Sequence, residues 1–181
     1  MSTKVNIVTA PEHRYIRPNS ISVFLAGGIC KCVEWQKQII DHFNKDTFNL
    51  KRTDNIYIFN PRREDWVDGP DATERQIEWE FDMLEKCDIF SMYFAGGESD
   101  QPICMYELGR NLVRMMYEYP DSWMHRIVIT CDASYKRLND VIIQTRLATN
   151  DLVKVNVVDD EKKSIKIHYE KINEKIIELY E

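Results

Sequence analysis

Ile21-Ser22-Val23-Phe24-Leu25-Ala26-Gly27-Gly28 is a short, nearly unbroken apolar run stopped by two glycines. A run of this length, bounded by a turn signal, reads as a strand buried on both faces and delivered into a tight turn. The same grammar repeats outward from it. A helix from about Val33 to Asn44 follows, with Trp35, Ile39 and Phe43 on one face, then a polar loop from Lys45 to Asp54. Asn55-Ile56-Tyr57-Ile58-Phe59-Asn60 is the next strand, stopped by Pro61. Asp88–Phe94 is a third strand, turned by Ala95-Gly96-Gly97. Arg126–Cys131 is a fourth, and a fifth lies near Leu152–Val158. Helical patterns separate them at about Asp71–Cys87, Ile103–Tyr117 and Asn139–Thr149, with a last one at Lys171–Tyr180 after the charged turn Asp159–Lys163.

This alternation predicts an α/β protein of three layers, a parallel sheet with helices on both faces. Right-handed crossovers leave few topologies. At 181 residues the chain reads as a single domain spanning 1–181, with residues 1–20 holding one extra strand or a loosely attached arm.

The net charge of −6 and the short basic pairs Lys51-Arg52 and Arg62-Arg63 argue against nonspecific binding to nucleic acid or to anionic membranes. There is no signal-peptide layout and no apolar run of transmembrane length, so a cytoplasmic protein is expected. An odd count of five cysteines fits reduced thiols. Cys30-x-Cys32 has the wrong spacing for a tetrahedral site, and His13, His42, His125 and His168 are scattered, so no metal is expected. No catalytic triad, P-loop or dinucleotide fingerprint is present, and no cofactor is expected.

Glu80 stands out. In Asp71–Cys87, Asp71 and Glu74 form a capping-box pattern, and the core stripe runs Thr73, Ile77, Glu80, Leu84, Cys87. A carboxylate on that stripe faces the interior, where an uncompensated charge costs several kcal/mol. Such a residue is either paired for structure or kept for chemistry.

Ligands of open parallel sheets bind beyond the carboxyl ends of the strands. Three loops should meet there: Gly27-Gly28-Ile29, Asn60-Pro61-Arg62-Arg63, and Ala95 through Asp100. Glu107, early in the following helix, belongs to the same edge. Each element also has a plain reading. The glycines make a turn, Arg62 and Arg63 pair with Glu64 and Asp65, and Glu107 pairs with Arg110 one turn on. Trp35, Trp66 and Trp79 read as core.

Taken together, Val23–Gly28, Asn60-Pro61-Arg62-Arg63, Gln76-Ile77-Glu78-Trp79-Glu80, Asp88-Ile89 and Tyr106-Glu107-Leu108-Gly109-Arg110 resemble, in order, the signatures of the nucleoside 2-deoxyribosyltransferase family, over roughly residues 21–131. The closest likeness is to its small branch with Asn-Pro-Arg-Arg and Trp-Glu signatures. The resemblance implies a five-stranded parallel sheet flanked by helices, flavodoxin- or Rossmann-like. It places Glu107 as the nucleophile that attacks C1′ of a deoxyribose and holds the sugar as an ester. It places Glu80 as the residue that positions the sugar and passes a proton to the departing base. Phe24, Ala26, Gly27, Gly28, Ile29, Asn60, Arg62, Arg63, Gln76, Gly96 and Asp100 fall where substrate would bind. Phe24 replaces a tyrosine that the family often has there.

The arginines would suit a 5′-phosphate. The implied substrate is thus a deoxynucleoside or its 5′-monophosphate, transferred to a second base or to water. Two further readings are an N-glycohydrolase of NAD or another nucleotide, and a protein that binds or sequesters a nucleotide without turnover. The resemblance also implies a homo-oligomer. Met105, Leu108, Leu112, Met115 and Met116 either cover two helix faces, one for a partner, or pack in one core.

Overall fold

The computed structural model describes residues 2–64 and 69–180. Six strands form one sheet: β1 (Lys4–Thr9), β2 (Ser20–Gly27), β3 (Asn55–Asn60), β4 (Ile89–Phe94), β5 (Ile127–Asp132) and β6 (Val155–Val158). Their spatial order is β1-β3-β2-β4-β5-β6, and every neighbouring pair is parallel. The strand beyond the expected five is β1. Residues Lys4–Thr9 pair in register with Asn55–Asn60 at the sheet edge, so they form a strand and not an arm.

Successive strand residues go to opposite faces, as the two-residue period of a strand requires. Ile21, Val23, Leu25, Ile56, Ile58, Ile89 and Val128 meet α1 (Trp35–Lys45) and α5 (Glu161–Tyr180) on one side. Phe24, Ala26, Phe59, Phe90, Met92 and Ile129 meet α2 (Ala72–Lys86), α3 (Pro102–Glu118) and α4 (Leu138–Thr149) on the other. Both faces are covered, and that is why the strands read as unbroken apolar runs.

Three local expectations are corrected. Asp71 makes no side-chain cap bond to α2. The buried residues of α2 are Ala72, Gln76, Trp79, Met83 and Leu84; Leu84 and Cys87 of the expected stripe are buried, but its first half is one residue out of phase, and Ile77 is 59% exposed. The last helix starts ten residues early, at Glu161, because Asp160 caps it: its carboxylate accepts the backbone N–H of Lys163 at 2.8 Å. The expected charged turn is the helix start.

The motif acid Asp88 lies at the amino end of β4, away from the strand carboxyl ends. Its carboxylate accepts the backbone N–H and the hydroxyl of Ser22, both at 2.8 Å, and so ties β2 to β4. Trp35 and Trp79 are buried, while Trp66 lies outside the described residues.

The order in which strands are added to the sheet reverses between β2 and β4. The helix that follows β2 packs on one face of the sheet, and the helix that follows β4 packs on the other. A crevice at the carboxyl ends of such a strand pair is where open α/β sheets hold ligands.

Candidate active site

A cavity of about 250 Å³ occupies that crevice. The loop after β2 forms one wall with Gly27, Gly28, Ile29 and Cys30, and Phe24 and Ala26 come from the strand itself. The start of α3 forms another with Ser99, Gln101, Pro102, Ile103, Cys104 and Glu107; Pro61 and Glu80 close the remainder.

The glycine turn is needed for this close assembly. Gly27 has φ +150°, and a Cβ there would lie 2.3 Å from the Tyr93 carbonyl oxygen and 2.7 Å from the Trp35 ring. Only glycine takes that backbone without strain. The Gly28 carbonyl accepts the Trp35 indole N–H at 3.0 Å, which fixes the loop to the first residue of α1.

Glu80 and Glu107 reach the cavity from different helices. Glu80 is half-buried on α2, and burial raises its pKa; Gln76 counters this by donating its amide N–H to Oε1 at 2.8 Å. The same Gln76 nitrogen donates to the Pro61 carbonyl at 2.7 Å. Gln76 therefore holds Glu80 against the loop after β3 and stays off the cavity surface. Burial first, and then the negative charge of Glu80, push the Glu107 carboxyl up to about 8; Arg110 lowers it by a smaller amount. Two carboxyls that repel each other in a dry site hold one proton between them near neutrality.

The expected Glu107–Arg110 pair is replaced. The Arg110 guanidinium lies over the Phe81 ring, 3.9 Å from its centroid, and pairs with Glu85.

The expected substrate residues divide. Phe24, Ala26, Gly27, Gly28 and Ile29 line the cavity with the two glutamates. Asn60, Arg62 and Arg63 do not. They line a separate cleft of about 580 Å³ beneath α1, where Glu64 pairs with Lys37. Arg62 donates to the Val33 carbonyl at 2.7 Å and to the Cys32 carbonyl at 3.4 Å, so it braces the outer end of the β2–α1 loop. Asn60 bonds the backbone of Arg62 twice, at 3.1 Å each.

Gly96 packs toward Asp132 and Ser134 at the end of β5. Asp100 gives its carbonyl to the Tyr135 hydroxyl at 2.8 Å, and its carboxylate lies 3.6 Å from Lys136. Neither lines the cavity.

Ser99 falls within the loop expected to meet there, whereas sequence reasoning missed Cys30, Gln101, Pro102, Ile103 and Cys104. One signal was available: Pro102 takes the first position of α3, a place that proline favours, and this puts Gln101 at the helix cap beside the strand end.

All five cysteines are unpaired. Among the described residues no cluster of three or more His, Cys, Asp or Glu could hold a metal ion, and no helix is long and apolar enough to cross a membrane.

A family model described as nucleoside 2-deoxyribosyltransferase like matches residues 20–115, just over half of the chain. The matched stretch runs from β2 into α3 and contains every residue that lines the cavity. No curated protein matches the chain.

Proposed function

Since the chain belongs to the nucleoside 2-deoxyribosyltransferase-like family, we propose that it cleaves and re-forms the N-glycosidic bond of a free deoxynucleoside. The observation that carries this reading is the pair of carboxyls in one cavity, with the charge of Glu80 raising Glu107. A carboxylate oxygen of Glu107 bonds to C1′ as the C1′–N bond breaks. The electron pair goes to the base nitrogen, which takes a proton from Glu80. An incoming base then attacks C1′, returns its proton to Glu80 and releases Glu107.

The pair must carry one proton, and that proton must sit on Glu80 when attack begins. In the empty cavity the electrostatics favour the opposite placement, because Gln76 supports charge on Glu80 and burial opposes charge on Glu107. Substrate binding has to move the proton.

A free nucleoside is favoured over a 5′-monophosphate because no Lys, Arg or His stands among the described residues lining the cavity. Both arginines expected to bind phosphate belong to the neighbouring cleft. The two negative charges of a phosphate beside two glutamates would be poorly held.

A second copy of the chain is proposed to cover the cavity mouth. Ile103, Tyr106, Val113 and Tyr117 form an exposed stripe on α3, and Ile77 and Phe81 extend it onto α2. Ile103 also lines the cavity. A partner on this stripe would help to keep water from the ester. Of the two readings left open for the methionines and leucines of α3, the single core fits their packing. Leu108, Leu112 and Met115 are buried, with Met105 and Met116 packed against them.

A hydrolytic reading has one point in its favour, the raised pKa of Glu107, which favours its protonated form. There, Glu107 protonates the base and Glu80 activates water in a single displacement. Incubation with a deoxynucleoside and a second, isotopically labelled base separates the two. Base exchange that vanishes in Glu107→Gln supports the covalent reading, and base release without exchange supports hydrolysis. Full turnover by Glu107→Gln would sink both.

A further inference from the structure

The cleft beneath α1 is larger than the active-site cavity, about 580 Å³ against about 250 Å³. Thr9 and Asn60, the last residues of β1 and β3, line it together with Gln36 and Lys37 of α1 and with Arg62. It is a separate space. Asn60 and Arg62 line the cleft, whereas Pro61 between them lines the cavity.

Gln36 is the residue here that packing does not explain. It is fully buried, with 0% exposed. Its Oε1 lies 3.5 Å from Nη1 of Arg62, an acceptor facing a donor. A flipped amide would set N–H groups against the guanidinium, so the orientation is fixed. Nε2 is thereby held on the other side, where it has no hydrogen-bond partner. Buried donors are nearly always paired, and one left bare is costly.

Two more sets of donors belong to the same lining. The Arg62 guanidinium has five N–H groups and directs three of them to Val33, Gln36 and Cys32, which leaves two. The amino end of α1 is the other set. Glu34 at its cap makes no side-chain bond to it, and its first turn carries no acidic residue. The unpaired N–H groups and the dipole of this 11-residue helix favour an anion there.

We infer that this cleft is a second ligand site, one that takes the phosphate of a small phosphate monoester against Gln36 Nε2, Arg62 and the start of α1. Phosphate suits these donors better than a carboxylate, because a monoester offers three free oxygens and a carboxylate only two. The rest of the lining suits what the phosphate is carried on. Glu34 and Asp41 are acceptors for hydroxyls, and Ile7 and Ile40 offer apolar surface. Glu64 is paired with Lys37. The inference goes beyond the glycosidic reading and does not need it, since a ligand here touches neither Glu80 nor Glu107.

Titration calorimetry with deoxyribose 5-phosphate, free phosphate and deoxyribose tests the site. None of the three carries a base, so no turnover intervenes. Wild type is compared with Gln36→Met, which keeps the volume and removes the donor. It is also compared with Gln36→Glu, which keeps an acceptor toward Arg62, controls for folding and sets a charge against the phosphate. The wild type should bind deoxyribose 5-phosphate, Gln36→Met should bind it at least about tenfold more weakly, and Gln36→Glu should not bind it detectably. Deoxyribose should show no such difference; a parallel loss would overturn the phosphate assignment. Free phosphate should bind more weakly than the monoester, and equal binding would overturn the monoester and leave phosphate itself as the ligand. No binding of either phosphate probe, or one affinity in all three proteins, would overturn the site and leave the glycosidic reading standing.

Discussion

Glu107 is held in a protonation state that the unfolded chain would not share. Its pKa is pushed up to about 8 in the folded protein, by burial and by Glu80, while an unfolded glutamate titrates near 4.3. The folded state therefore binds this proton more tightly. Its contribution to stability is complete below the unfolded value and is lost as pH rises through about 8. Glutamine carries no such dependence. Glu107→Gln should melt close to wild type at pH 4 and at least about 4 °C above it at pH 9, roughly 1 kcal/mol or more. Thermal melts at the two values check this, and equal shifts at both would refute it. The same variant should lose turnover by at least about a thousandfold. Gln76 acts through Glu80. Removing it takes away the bond that favours the charged carboxylate, so in Gln76→Ala the Glu80 pKa rises further and the matching limb of the pH–rate profile moves to higher pH. A fall in kcat of about tenfold without that movement would mean a structural role only. Glu80 was legible in the sequence because a carboxylate among apolar residues is conspicuous. Gln101 was legible only as a helix cap ahead of Pro102, since its burial against the loop after β2 is a tertiary contact that no spacing encodes.

At the scale of elements, the turn after β2 carries the most constraint per residue. Gly27→Ala places a methyl 2.3 Å from the Tyr93 carbonyl and must displace β4 or the Trp35 ring. It should cost about 1–3 kcal/mol, read as a lower urea midpoint with an unchanged slope. A wild-type midpoint would contradict the geometry. The strands could be read from sequence because burial on both faces leaves continuous apolar runs. The phase of α2 could not. Polar Gln76 is buried and apolar Ile77 and Phe81 are exposed, which inverts the rule that apolar periodicity marks the core. Both inversions serve a purpose outside the core: Gln76 holds Glu80, and the two apolar side chains join the exposed stripe. Arg62, expected to bind phosphate, lies away from the cavity, because a guanidinium near a strand end can equally well cap backbone carbonyls, and Val33 and Cys32 offer two.

For the whole molecule, the exposed stripe on α3 and α2 leads to a further prediction. Tyr117, 87% exposed, and Val113, 67% exposed, face away from the core. If the proposed second copy sits there, the wild type should be at least a dimer by light scattering, and the double variant Val113→Glu, Tyr117→Glu a monomer with a fold unchanged by circular dichroism. A monomeric wild type would remove the shared-mouth proposal. The opposite face of the sheet is closed in a different way. His168 of α5 bridges the Ser91 hydroxyl of β4 at 2.8 Å and the Thr130 hydroxyl of β5 at 2.9 Å, and burial keeps it neutral. Its consequence concerns the order in which the chain is made. Ser91 and Thr130 emerge from the ribosome well before the residue that pairs them, and the Ile21, Val23, Leu25 and Ile89 side chains wait beside them for α5. The matched stretch with all of the cavity's residues is complete by residue 115, yet the sheet face beneath it is covered by α1 alone until α5 is made. The residues lining the cavity are thus made before the helix that completes this face, so a nascent chain that stalls before Glu161 carries all of them on a sheet still partly open beneath.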